Sequence, residues 1–219
     1  MSKVKCVLFD CDGTLVDSER LCCEAIVATF EQVGVTLSIE AVSDNFSGGK
    51  IADVLSSAQS LAQSHVSLDL LEPIYRNETQ RLFEQRLRPM EGALELLSYL
   101  DQQDIEYCVV TNSPLSKAQK MLSIVGLSEK FRGKVISAFD ANSWKPEPDL
   151  LQYSVTMMGF LPDECVYIDD TSKGVKMGIA AGIRTIHFAT SCDYEQKNAT
   201  CLTSMKQVIE HISEQNSLA

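Results

Sequence analysis

Five short runs of the chain are apolar almost without interruption: "VKCVLFD" (4–10), "YCVVTN" (107–112), "KVISAFD" (134–140), "CVYIDD" (165–170) and "IRTIHFA" (183–189). A strand with one wet face alternates apolar and polar residues, whereas a strand covered on both faces does not. The runs therefore predict a parallel sheet. Between the later ones lie the helical patterns "GALELLSYLDQQ", "SKAQKMLSIVGL", "PDLLQYSVTMMGF" and "SKGVKMGIAAG". Strand and helix in alternation predict an α/β fold, a doubly wound, Rossmann-like parallel sheet.

One stretch breaks the rhythm. From Ser18 to Arg88 no buried-strand run occurs, and amphipathic patterns such as "ERLCCEAIVATFEQVG" and "LLEPIYRNETQRLFEQRL" take its place. The pattern predicts a core of residues 1–17 and 89–219 with a helical domain, 18–88, inserted as a mobile lid. Gly34, Gly48 and Gly49 punctuate the insertion, and Pro89 and Gly92 mark the return to the core.

Composition narrows the class. The 219 residues are 45% hydrophobic, enough for a substantial core. With 19 basic against 30 acidic residues the formal charge is −11, which argues against nucleic acid or an anionic membrane as partner. Lys3 and Lys5 imitate a signal peptide, but Asp10 interrupts the apolar stretch behind them before it reaches the roughly 7–15 residues such a peptide needs. A cytoplasmic protein is expected. Of its eight cysteines, Cys6, Cys108 and Cys165 lie within apolar runs and Cys22 and Cys23 form an adjacent pair, and the set reads as reduced, mostly buried thiols. His65, His187 and His211 match no zinc spacing and receive no chemical role. The oligomeric state is left open, a monomer being compatible with the sequence.

Ligands of an open parallel sheet bind beyond the carboxyl ends of its strands, so the residues following each run carry the chemistry. Asp10 and Asp12 follow the first run; Thr111, Asn112 and Ser113 the second; Trp144 and Lys145 lie beyond the third; Asp169 and Asp170 close the fourth. Four carboxylates crowded together repel one another unless a cation sits among them. Hard oxygen ligands suit magnesium, and a lysine with a hydroxyl suits the oxygens of a phosphoryl group. An EF-hand reading of "LFDCDGTLVDSE" fails because Leu8 occupies the first ligand position and a strand precedes it. A plain Asp-Gly turn explains Asp12 and Gly13 taken singly, but not four such strand ends in succession.

"DCDGTLVDSE", "VVTNS", "WKPEPD" and "YIDD", in this order, resemble the four motifs of the haloacid dehalogenase (HAD) superfamily of phosphohydrolases. The helical insertion is similar to the cap of the branch holding β-phosphoglucomutase and phosphoglycolate phosphatase. The resemblance implies that Asp10 is the nucleophile, forming an aspartyl-phosphate. It implies that Asp12 is the general acid and base, offering its backbone carbonyl to the metal. Thr111, Asn112 and Lys145 would bind phosphoryl oxygens, and Lys145 would keep Asp10 ionised. Asp10, Asp12, Asp169 and Asp170 would form the Mg2+ site, with the division between Asp169 and Asp170 open. Gly13 would let the backbone approach the phosphate, and Gly174, Gly178 and Gly182 serve helix packing and a helix stop.

A receiver domain also phosphorylates an aspartate, but its acidic pair comes first in the chain and it has no insertion of this kind. Dehalogenases lack an acid at the position of Asp12. β-Phosphoglucomutases carry a cap histidine where this chain has Cys22, which favours transfer to water. "FSGGK", "YRNE", "WKPEP" and "DDTSKG" resemble bacterial 6-phosphogluconate phosphatases. The expected partner is thus a small phosphorylated metabolite, a sugar acid phosphate whose second anion meets Lys50 or Arg76 on the cap.

Overall fold

The computed structural model describes residues 2–46, 48–192 and 198–218. Six strands form one sheet: β1 (Cys6–Phe9), β2 (Glu106–Thr111), β3 (Val135–Ser137), β4 (Cys165–Asp169), β5 (Arg184–Phe188) and β6 (Thr200–Leu202). All neighbours run parallel, in the order β3-β2-β1-β4-β5-β6. Ten helices accompany them among the described residues: α1 (Glu19–Gln32), α2 (Ile39–Asp44), α3 (Ile51–Ala62), α4 (Leu68–Arg86), α5 (Ala93–Gln102), α6 (Leu115–Ile124), α7 (Ala138–Ala141), α8 (Asp149–Met158), α9 (Ser172–Ala180) and α10 (Met205–Ser217). None is long and apolar enough to cross a membrane.

The five apolar runs contain β1 to β5, although the end of the third, Ala138 to Asp140, turns into α7, and the doubly wound α/β architecture is the one their continuity predicts. On one face Cys6, Leu8, Cys108, Val110, Cys165 and Tyr167 pack with Leu150, Leu151 and Val155 of α8. β6 escaped the pattern because its three residues are only half-buried and pair on one side alone, at the sheet's edge.

The chain divides into two compact units, residues 1–16 with 89–219, and residues 17–88. Among the described residues the regular elements of the second unit are helices, α1 to α4. Leu21, Cys22, Ile26 and Phe30 of α1 are buried, as are Leu71, Tyr75, Leu82 and Phe83 of α4, so each helix hides one stripe. Six cysteines are free and buried, as expected, but Cys192 and Cys201 form a disulfide. Those two lie outside the long apolar runs, where an inward-facing thiol has no core to enter.

Candidate active site

β1 sits where the winding of the sheet reverses, with β2 and β3 to one side and β4 to β6 to the other. The carboxyl ends of β1 and β4 therefore flank the crevice at which such folds take ligands. Asp10 follows β1, and its backbone N–H donates to the Ile168 carbonyl at 2.9 Å. Asp169 ends β4, one residue beyond Ile168. Lys145 joins them, its Nζ 2.7 Å from Asp10 Oδ1 and 2.7 Å from Asp169 Oδ2. Its side chain is only 5% exposed, so the ammonium is a buried bridge rather than a loop residue in water.

Asp169 is saturated with donors. Besides Lys145, its carboxylate accepts from the Tyr167 hydroxyl, from the Thr171 backbone N–H at 2.7 Å and from Thr171 Oγ1 at 2.6 Å. Gly174 closes against it, since a Cβ there would stand 1.8 Å from Asp169 Oδ2. The Asp170 carboxylate accepts from Thr14 Oγ1 at 2.8 Å. One carboxylate oxygen each from Asp10, Asp169 and Asp170 lies within 4.8 Å of the others, a cluster able to hold a metal ion. Because Asp169 already spends its lone pairs on four donors, Asp170 is the better placed of the two neighbours to turn toward an ion.

The electrostatics agree. Burial pushes the Asp10 carboxyl up to about 7, with Lys145 pulling down and Asp169 pushing further up. Lys145 favours the ionised form of Asp10, as expected, and shares its charge with Asp169. Asp170 stands well above the usual carboxylate range, first through burial and then through Asp169 and Asp10. Burial opposes the charge on Lys145, but Asp10 and Asp169 more than offset it and raise its pKa. Three carboxylates facing one ammonium call for another cation.

Asp12 lies apart from this cluster. Its Oδ2 accepts from Ser113 Oγ at 3.1 Å and its Oδ1 from Lys117 Nζ at 3.2 Å. Thr111 is buried at the end of β2, with its Oγ1 accepting from the Ser113 N–H at 3.0 Å. Asn112 uses its side chain as well: Oδ1 accepts from the Lys145 N–H at 3.0 Å, tying the lysine loop to β2. Gly13, at φ +78°, does permit a close approach, but the group it admits is Asp170, whose Oδ2 would be 2.3 Å from a Cβ. Asp10, Asp12, Thr111, Asn112, Lys145, Asp169 and Asp170 thus assemble at the carboxyl end of the sheet, about its interior strands β2, β1 and β4.

Lys50 and Arg76 belong to the helical unit. Lys50 is exposed at the start of α3, and Arg76 Nη2 is held by Glu72 Oε1 at 2.5 Å on α4. Ser47 of "FSGGK" lies outside the described residues.

Four contributors were missed in the sequence. Thr14 stands two residues after Asp12 and could have been suspected as a hydroxyl beside carboxylates. Tyr167 hides in an apolar run, and Lys117 reads as an ordinary helix lysine. His187, given no role, sets its Nε2 3.2 Å from the Asp170 carbonyl, while its buried Nδ1 meets no hydrogen-bond partner among the described residues.

Residues 7–188 match the haloacid dehalogenase-like hydrolase family. The chain is 35% identical over 188 residues to 6-phosphogluconate phosphatase of Escherichia coli (strain K12), covering 86% of this chain and 84% of that protein. It is 30% identical over 224 residues to hexitol phosphatase A of the same organism, covering 94% of each. A solved haloacid dehalogenase-like protein of unknown function from Agrobacterium tumefaciens str. C58 superposes with a TM-score of 0.80 at 26% identity, over 96% of this chain and 98% of that one. Fold, strand-end carboxylates and these likenesses converge: the chain belongs to the haloacid dehalogenase-like hydrolases.

Proposed function

We propose that the protein hydrolyses the phosphomonoester of a small sugar or sugar acid, 6-phosphogluconate or a close analogue, with Asp10 as nucleophile and Asp12 as proton donor and acceptor. The observation carrying this reading is the buried bridge from Lys145 to Asp10 and Asp169, which sets a carboxylate and a cation side by side where a phosphoryl group would enter.

In the first half of the reaction an Asp10 oxygen bonds to phosphorus as the ester P–O bond breaks. The electron pair of that bond goes to the sugar oxygen, which takes the proton of Asp12. In the second half Asp12 takes a proton from water, whose oxygen bonds to phosphorus and returns Asp10 as a carboxylate. Thr111, the Asn112 backbone N–H and Lys145 hold phosphoryl oxygens and offset their charge throughout. Asn112 also keeps the Lys145 loop in place.

The three clustered carboxylates fit Mg2+, which Asp10 and Asp170, with the Asp12 backbone carbonyl, would hold. When bound, it supplies charge neutralisation for the phosphoryl oxygens. Asp169 acts mainly on Lys145.

The E. coli relative supports a sugar acid, and on a chain of net charge −11 a second anion needs placed cations, for which Lys50 and Arg76 of the 17–88 unit are the candidates. Closure of that unit as a lid would exclude water from the phosphoryl group. Phosphate release from a panel of sugar phosphates and sugar acid phosphates, with and without magnesium, tests the reading. Hydrolysis without magnesium, or no hydrolysis of any ester, would overturn it.

A further inference from the structure

α6 starts two residues past Ser113, in the loop that follows Thr111 at the end of β2. Ser113 and Lys117 are four positions apart, the spacing at which side chains on a helical turn meet. Lys117 Nζ lies 3.2 Å from Ser113 Oγ, and the two groups take opposite oxygens of one carboxylate, that of Asp12. A carboxyl held at a single oxygen still swivels about its Cβ–Cγ bond. Held at both, its plane is set.

The pair does little for folding. Lys117 is 43% exposed and Asp12 29%, and ion pairs this open contribute roughly 0–1 kcal/mol to stability. A fold brace is therefore a poor account of a lysine reaching back from α6 onto a strand-end aspartate. Lys145 does not do this work, since its ammonium is committed to Asp10 and Asp169. Asp10 thus faces Lys145, and Asp12 faces Lys117.

We infer that Lys117, with Ser113, is a positioning residue for Asp12: it aims the carboxyl at the leaving oxygen and stabilises the carboxylate left when the proton departs. The inference rests on the role of Asp12 proposed above. When the ester bond breaks, the Asp12 proton goes to the sugar oxygen and negative charge appears on the very carboxylate that Lys117 faces. A fixed cation at the place where charge develops lowers the barrier without reorganising. Lys117 itself neither gives nor takes a proton, and touches the reaction only through Asp12.

Leaving-group dependence tests this. A sugar alkoxide must be protonated as it leaves, whereas the phenolate of p-nitrophenyl phosphate leaves without a proton. Lys117→Met should lower kcat/KM for a sugar phosphate by about 10-fold or more while costing p-nitrophenyl phosphate less than about 3-fold, a fraction of the 10²–10⁴-fold that proton transfer supplies. Lys117→Arg should recover most of the loss. Acid and neutral sugar phosphates should suffer alike, because the defect lies at the leaving oxygen. Equal losses on sugar and nitrophenyl esters would overturn the inference, and so would a selective rise in KM for acid substrates, which would make Lys117 a substrate-binding cation. Asp12→Asn, measured beside it, separates the two levels. If Asp12→Asn leaves sugar phosphate turnover intact, the role of Asp12 fails and the inference with it. If Asp12→Asn is crippled while Lys117→Met resembles wild type, only Lys117 is wrong.

Discussion

Stripping divalent cations and raising the pH should destabilise the folded protein through Asp10. Its carboxyl titrates near 3.8 in the absence of the fold and is pushed up to about 7 within it, chiefly by burial. A group raised in this way stabilises the fold fully below its unfolded pKa, and that stability is lost as pH rises through the folded value. Between about pH 6 and about pH 8 the folded state gives up a proton that the unfolded chain has already released, a loss of about 1.4 kcal/mol. For a chain of this length that lowers the melting temperature by about 3–5 °C. Asp170, raised for the same reason, steepens the decline. Bound magnesium replaces the proton, so the gap in melting temperature between magnesium and EDTA samples should widen with pH. His211 is shifted downward by burial and withdraws stability as pH falls, the opposite sign. Its effect cancels when wild type is compared with Asp10→Asn, which should lose the Asp10 slope. Calorimetric scans in EDTA across this window suffice. A wild-type slope identical to that of Asp10→Asn, or a magnesium effect independent of pH, would refute the reasoning.

The remaining predictions concern single residues. Asp10→Asn, which removes the nucleophile, and Asp12→Ala, which removes the proton-transfer group, should each reduce phosphate release from a sugar phosphate at least ~10²-fold, the lower range for losing the latter; near-normal turnover of freshly purified Asp10→Asn would contradict the mechanism. Gly174→Ala would ordinarily strengthen a helix, but the new Cβ would meet Asp169 Oδ2 at 1.8 Å. It should instead cost about 1–3 kcal/mol in denaturant titrations and depress activity by displacing the partner of Lys145; a stabilised, fully active variant would show that Asp169 need not stay where it is. Lys50→Ala should raise KM for a sugar acid phosphate more than for a neutral one, read from initial rates on both; equal loss would remove Lys50 from recognition.

Most of the fold was legible because burial on both faces of a strand leaves an uninterrupted apolar run. Cys6 to Phe9 and Cys165 to Ile168 advertise themselves in this way. The strand-end residues were legible for a related reason, since a carboxylate directly after such a run is anomalous without chemistry. What stayed hidden depends on contacts distant in sequence. Asn112 and Lys145 are 33 positions apart, and no local pattern says that an amide oxygen will hold the lysine's own backbone. Tyr167 contributes to the apolar core with its ring and to Asp169 with its hydroxyl, and hydrophobicity records only the first. Lys117 is polar on a helix, the commonest place for a solvated lysine. The pairing of Cys192 with Cys201 overturns the expectation of reduced thiols for these two, because they stand outside the core runs from which that expectation was extended to all eight.

The ends of the 17–88 segment meet within the core: Val16 forms an antiparallel bridge with Pro89, and the Met90 N–H donates to the Leu15 carbonyl at 2.8 Å. The sheet therefore experiences everything between them as a single closed loop. Closing such a loop costs entropy that grows only with the logarithm of its length, about 0.6 kcal/mol per doubling. Segments of quite different size can accordingly be carried at this point without shifting the register of any strand or moving Asp10 relative to Lys145. Descendants of this chain are free to lengthen, shorten or exchange that passage while inheriting the phosphoryl-transfer site unchanged.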